Sequence, residues 1–190
     1  MPNIKLLPLE NKNRETFILG VQESFKYGAL EEFGKRDDHL NKYGEIISRK
    51  TIEKSIDGKG SETYQIFENG NNVGGVIVSI NREKQTGELE ILYVSPAEHS
   101  KGIGYATWCE IEKMYPEIKK WETYTPYFEK RNIHFYVNRC GFQIDKFYNS
   151  HYPMPQYLKD EDDDLEEEEE IDEDDVHPDD FLHFIKIIQS

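Results

Sequence analysis

The sequence has no apolar run near the ~18–20 residues that cross a bilayer. Its first twenty residues alternate in charge instead of running from basic to apolar, so no secretory leader is predicted. Cysteine is scarce. Cys109 and Cys140 are too few for a disulfide framework, and each falls in a predicted helix as a small buried hydrophobe. These absences predict a soluble, cytoplasmic protein with reduced thiols, and 190 residues suit one domain with a substantial core. Two phosphate-binding signatures are missing too. A P-loop carries Lys followed by Ser or Thr directly after its last glycine, whereas Tyr105 follows Gly104, and a dinucleotide fold needs a third glycine where Thr107 stands. The six histidines have no zinc spacing and the Asp-rich tract has no calcium-loop glycine, so no metal is predicted.

Basic residues are absent where acid is concentrated. Residues 160 to 180 hold sixteen Asp and Glu with no Lys or Arg, while the rest of the chain holds 22 acids against 23 bases, so the net charge of −15 belongs to one segment. Phosphate binding relies on Lys and Arg, which excludes nucleic acid as a partner of that segment. A tract of this composition cannot bury enough apolar surface to order itself, and 159–180 is predicted as a disordered acidic loop. Phe181 to Ile188 then returns as an apolar strand, so the loop is internal.

The patterned residues give the order of elements. Ile4 to Leu7 reads as a short strand, and Phe17, Ile18, Val21 and Phe25 mark an amphipathic helix within 10–30. A second helix is predicted over 45–56. Thr63 to Glu68 and Val73 to Ile80 flank Asn69-Gly70, a strong hairpin turn, and a second hairpin leads into Glu88 to Val94. A helix over 103–115, a strand over 121–125, a helix over 130–140 capped by Gly141, and a strand over 142–149 follow.

The chain is organised around Leu89 to Ala106. There an apolar strand ends at Val94, Pro96 stops the ladder, and a polar loop leads through Gly102 and Gly104 into a helix. Such a junction offers backbone N–H groups and the positive end of a helix dipole to an anion, with glycines allowing close approach. Read from these residues alone, it is either a phosphate cradle or an ordinary tight strand-to-helix turn.

Val94-Ser95-Pro96 followed by His99-Ser100-Lys101-Gly102-Ile103-Gly104-Tyr105-Ala106 resembles the acetyl-CoA pyrophosphate loop of the GNAT superfamily of N-acetyltransferases, in its bacterial type. Phe135-Tyr136-Val137-Asn138-Arg139-Cys140-Gly141-Phe142 resembles the family's second motif, a helix ending in Gly-Phe before a strand. Two departures stand out. His99 replaces the usual Gln or Arg, and Tyr136 lies five residues before the glycine where the family tyrosine lies four before it.

The resemblance implies a fold and a set of roles. The fold is α/β, a GNAT-like single domain over 1–190 with a mixed, mostly antiparallel sheet flanked by helices and an acidic insertion before the last strand. The activity implied is direct transfer of the acetyl group of acetyl-CoA, the co-substrate, to a small-molecule or peptide amine. Neither nucleic acid nor a membrane is a partner, and a homodimer is left open. Pantetheine would lie along Leu92, Tyr93 and Val94, where a bulge could aim one N–H at the thioester carbonyl. The pyrophosphate would sit on His99, Ser100, Lys101, Gly102, Ile103, Gly104, Tyr105 and Ala106. Asn132 either contacts pantetheine or caps its helix. Glu88, fourteen residues before Gly102 as in several family members, and Glu90 are the base candidates, the other reading being a solvated face. Tyr136 is either the acid for the departing thiolate or a packed aromatic. The alternative to an enzyme is a non-catalytic module that binds acetyl-CoA or, through its acidic loop, a basic protein.

Overall fold

The computed structural model describes residues 2–28, 44–99, 101–155 and 180–188. The acidic segment expected at 159–180 lies, except for Asp180, outside them, as does Ser100. Seven strands hydrogen-bond in the order β1-β2-β3-β4-β5-β7-β6. They are β1 (Ile4–Pro8), β2 (Ser61–Glu68), β3 (Asn71–Asn81), β4 (Thr86–Val94), β5 (Lys120–Pro126), β6 (Gln143–Tyr148) and β7 (Phe181–Ile187). The sheet is mixed as expected: β1 to β4 run antiparallel, and β4 pairs with β5 in parallel. Two compact units make up the chain, one of residues 1–122 with 186–190 and the other of residues 123–185.

In the first unit, Asn69 and Gly70 both take positive φ, 51° and 85°, the geometry of the tight hairpin that joins β2 to β3. Helix α1 (Arg14–Tyr27) buries Phe17, Ile18, Val21 and Ser24, one stripe at helical spacing. With Ile52 of α2 (Arg49–Asp57), its apolar residues pack on Ile77 of β3 and on Ile91 and Tyr93 of β4. The rings of Phe17 and Tyr93 meet edge to face at 5.3 Å directly over Gly75, where a Cβ would lie 2.6 Å from Tyr93. Only glycine leaves room for that aromatic pair. Helix α2 begins at Arg49, later than the 45 expected, because the Ser48 hydroxyl accepts from the Thr51 amide and caps it there.

On the other face of the sheet, Ile103 of α3 (Ile103–Met114) packs with Ile66, Val73, Leu92 and Val94. Farther along, Trp108 of α3 meets Trp121 of β5 edge to face at 5.3 Å.

The second unit holds the end of β5, helix α4 (Lys130–His134), β6 and β7. The helix predicted over 130–140 is α-helical only to His134, and Phe135–Arg139 forms a π turn. Gly141, at φ 78°, ends it in the left-handed conformation expected. Strands β6 and β7 pair antiparallel, from Gln143↔Ile185 to Tyr148↔Phe181. Among the described residues, no helix is long and apolar enough to cross a membrane.

Candidate active site

The strand that carries the base candidates changes phase in its middle. Ile77 pairs with Ile91 but Val78 pairs with Leu89, so Glu90 is an extra residue and β4 bulges there. The bulge was expected along Leu92 to Val94. It falls at Glu90 because the apolar set must switch: Leu92 and Val94 pack on the α3 side, Ile91 and Tyr93 on the α1 and α2 side. Glu88 can be placed by its neighbour. Gly87 lies under the Trp121 ring, which packs on Trp108 of α3, so alternation points Glu88 to the opposite face, that of α1 and α2.

The parallel register sets Glu88 beside Glu122 of β5, with Thr86 beside Lys120. Lys120 and Glu122, two residues apart on one face, form an ion pair at 2.7 Å. Burial, and then the like charges of Glu90 and Glu122, push the Glu88 carboxyl up to about 7. A carboxyl that titrates near neutral pH can take a proton and release it again, which a general base requires. Neither Glu122 nor Lys120 was singled out in the sequence. The alternation of Trp121-Glu122-Thr123 marks a strand, but only the register brings Glu122 to Glu88.

The loop after β4 is built from short-range bonds. Ser95 to His99 make a tight turn through Glu98 N to Ser95 O, 2.8 Å, and His99 N to Pro96 O, 3.2 Å. The His99 ring folds back, its Nε2 bonding the Val94 carbonyl at 2.9 Å, and packs edge to face on Tyr27 at 5.4 Å. Ser24 Oγ donates to the same carbonyl at 3.0 Å, so the end of β4 is tied to α1. Lys101 pairs with Glu98 at 2.5 Å. Gly102 then turns into α3 at φ 79°, a conformation that favours glycine, and no side chain caps the helix. Ile103 and Gly104 head the first turn, whose N–H groups have no acceptor within a helix. Ile103 and Ala106 are buried, and Tyr105 is half-buried.

In the second unit, Tyr136 is 8% exposed and packs on Phe135, Phe142 and Phe184 at ring distances of 5.4, 5.8 and 5.6 Å. Its hydroxyl bonds the Thr123 side chain, and burial pushes it up to about 12, so it is protonated at neutral pH. The five-residue spacing to Gly141 has a structural counterpart in the π turn, which takes up one residue more than an α-helical turn. Asn132 Nδ2 reaches Thr125 Oγ1 at 3.5 Å.

This geometry can be set beside known proteins. The sequence profile described as the acetyltransferase (GNAT) family matches residues 29–142. An uncharacterized protein of Bacillus subtilis (strain 168), YrkN, is 39% identical over 189 residues, covering 100% of this chain and 96% of its own length. Among solved structures, the ribosomal-protein-S18-alanine N-acetyltransferase of Escherichia coli is similar at TM-score 0.62 and 16% identity, over 99% of this chain and 96% of that one. The spermidine N-acetyltransferase of Vibrio cholerae, in complex with CoA and spermine, is similar at TM-score 0.62 and 11% identity, over 97% and 95% of the two chains. The PaiA N-acetyltransferase of Thermoplasma acidophilum, in complex with coenzyme A, is similar at TM-score 0.61 and 18% identity, over 98% and 99%. At these identities the structural likenesses establish the fold.

Proposed function

Because this chain belongs to the acetyltransferase (GNAT) family, whose co-substrate is acetyl-CoA, we propose that it moves the acetyl group of acetyl-CoA to a primary amine by direct transfer. The observation that carries this reading is Glu88, a carboxyl pushed up to about 7 on the face of the sheet covered by α1 and α2. An amine must lose a proton before it attacks a thioester, and a base that titrates near the working pH does this best, directly or through one water. Glu90, at the bulge beside it, raises its titration and is the second candidate.

The co-substrate pyrophosphate binds at the start of α3, on Ser100, Lys101, Gly102, Ile103, Gly104, Tyr105 and Ala106. His99 acts indirectly here, because its ring is committed to the Val94 carbonyl and so holds the loop against β4. Pantetheine runs along Leu92, Tyr93 and Val94. Tyr136, neutral at working pH, donates the proton to the departing thiolate, and Asn132 contacts pantetheine. Spermidine and a ribosomal-protein alanine, the acceptors in the names of two similar structures, are both amines, which supports the acceptor class.

The test is thiol release from acetyl-CoA with a panel of polyamines, lysine peptides, amino acids and aminoglycosides. Release above the amine-free background with one or more members is expected. Acetyl-CoA binding with no release for any amine would overturn the reading in favour of a non-catalytic module.

A further inference from the structure

Glu122 and Lys120 take no part in the roles assigned above, yet they are the charged groups of β5 nearest in register to Glu88. Glu122 is its parallel partner, and Lys120 holds the Glu122 carboxylate at 2.7 Å. We infer that the Lys120–Glu122 pair is a positioning device that sets the pH range in which Glu88 accepts a proton: Glu122 is the charge Glu88 senses, and Lys120 is the group that limits it. The inference rests on the reading of Glu88 as the base.

Its physical basis is the arrangement of charge around one carboxyl. Removing a proton from Glu88 places a negative charge next to Glu90 on its own strand and next to Glu122 on β5, and both oppose it. On the other side, β3 sets the uncharged Ser79 against Glu88. On the helices that cover this face, Arg14 pairs with Asp57 and Arg49 with Glu15 and Glu53. Lys120 is a cation paired with Glu122, and its side chain is 39% exposed against 28% for Glu122. Without it, Glu122 would press more strongly on Glu88. Without Glu122, Lys120 alone would favour the ionised Glu88.

The experiment follows the Glu88 carboxyl itself, in the full chain labelled with carbon-13, its resonance identified by its loss in Glu88→Gln. In Glu122→Gln, an isosteric change, the titration midpoint should fall by about half a unit or more, the size expected when one near charge is removed at an effective dielectric well above that of a dry interior. In Lys120→Met it should rise, and in the double variant the two opposite shifts should offset one another. Unchanged midpoints in the folded single variants would overturn the inference. Should Glu122→Gln fail to fold, Lys120→Met, at a more exposed position, decides alone. The acid limb of the kcat/KM profile separates this inference from the one beneath it. A resonance that moves together with the limb supports both. A resonance that moves while the limb stays still leaves the coupling intact and removes Glu88 as the base.

Discussion

The amide of Cys140 donates to the carbonyl of Phe135 at 3.0 Å, five residues back instead of four. That bond widens the helix by one residue between Tyr136 and Gly141, the same interval in which the sequence has one residue more than its family pattern. Tyr136 thereby faces Thr123, Phe142 and Phe184. Tyr136→Phe keeps the ring packing and removes the proton. We expect kcat to fall by ~10²–10⁴-fold, the contribution of a positioned acid, with acetyl-CoA affinity unchanged by calorimetry. A kcat equal to wild type would make Tyr136 a packing residue alone.

Glu88 predicts opposite pH trends for rate and stability. As a base it works in the ionised form, so kcat/KM should fall as pH drops below about 7. Its folded pKa is raised above the unfolded value of 4.5, so the fold binds the proton more tightly than the unfolded chain does. The neutral carboxyl is thus the form the fold tolerates, and its contribution to stability is lost as pH rises from about 4.5 to about 7. Glu88→Gln should therefore be more stable than wild type at pH 8, by on the order of 2 kcal/mol, and nearly equal to it at pH 4. Thermal melts at the two pH values check the sign, and steady-state rates check the loss of activity.

Gly104 lies in the first turn of α3, just after the left-handed Gly102. Glutamate there would put a side chain and a like charge where the pyrophosphate is proposed to bind. Gly104→Glu should abolish acetyl-CoA binding, against the ~0.3–2 kcal/mol an anion gains from the helix dipole alone. Unchanged affinity by calorimetry would move the co-substrate elsewhere.

The acidic segment tests acceptor charge. Sixteen carboxylates between 160 and 180 would concentrate a polyamine or Lys-rich peptide at low salt, and screening over ~8 Å would weaken that attraction at physiological ionic strength. Replacing residues 160–178 by a short Gly/Ser linker should raise KM for cationic amines at low salt, leave kcat unchanged, and lose its effect as salt rises. An unchanged KM at low salt would leave the segment without a role in acceptor capture.

Local chemistry was legible in the sequence wherever it acts over a few residues. The Asn69-Gly70 turn, the buried stripe of α1, the strand-to-helix junction through Gly102 and the glycine that ends the π turn were all readable, because each depends on backbone freedom or on a period within one element. Glu88 and Glu90 were readable as acids on an otherwise apolar strand. Their relation was not. Only pairing with β3 shows that Glu90 is the extra residue of a bulge, and only the parallel register with β5 sets Glu122 beside Glu88. The tie of the Val94 carbonyl to Ser24 and the packing of Tyr136 on Phe184 also arise from contacts between distant parts of the chain. Sequence period determines which face of its own element a residue occupies. The charge a neighbouring strand sets against that face, here Glu122 adding to burial and to Glu90 in pushing Glu88 up to about 7, is decided by register, and register is a property of the folded sheet.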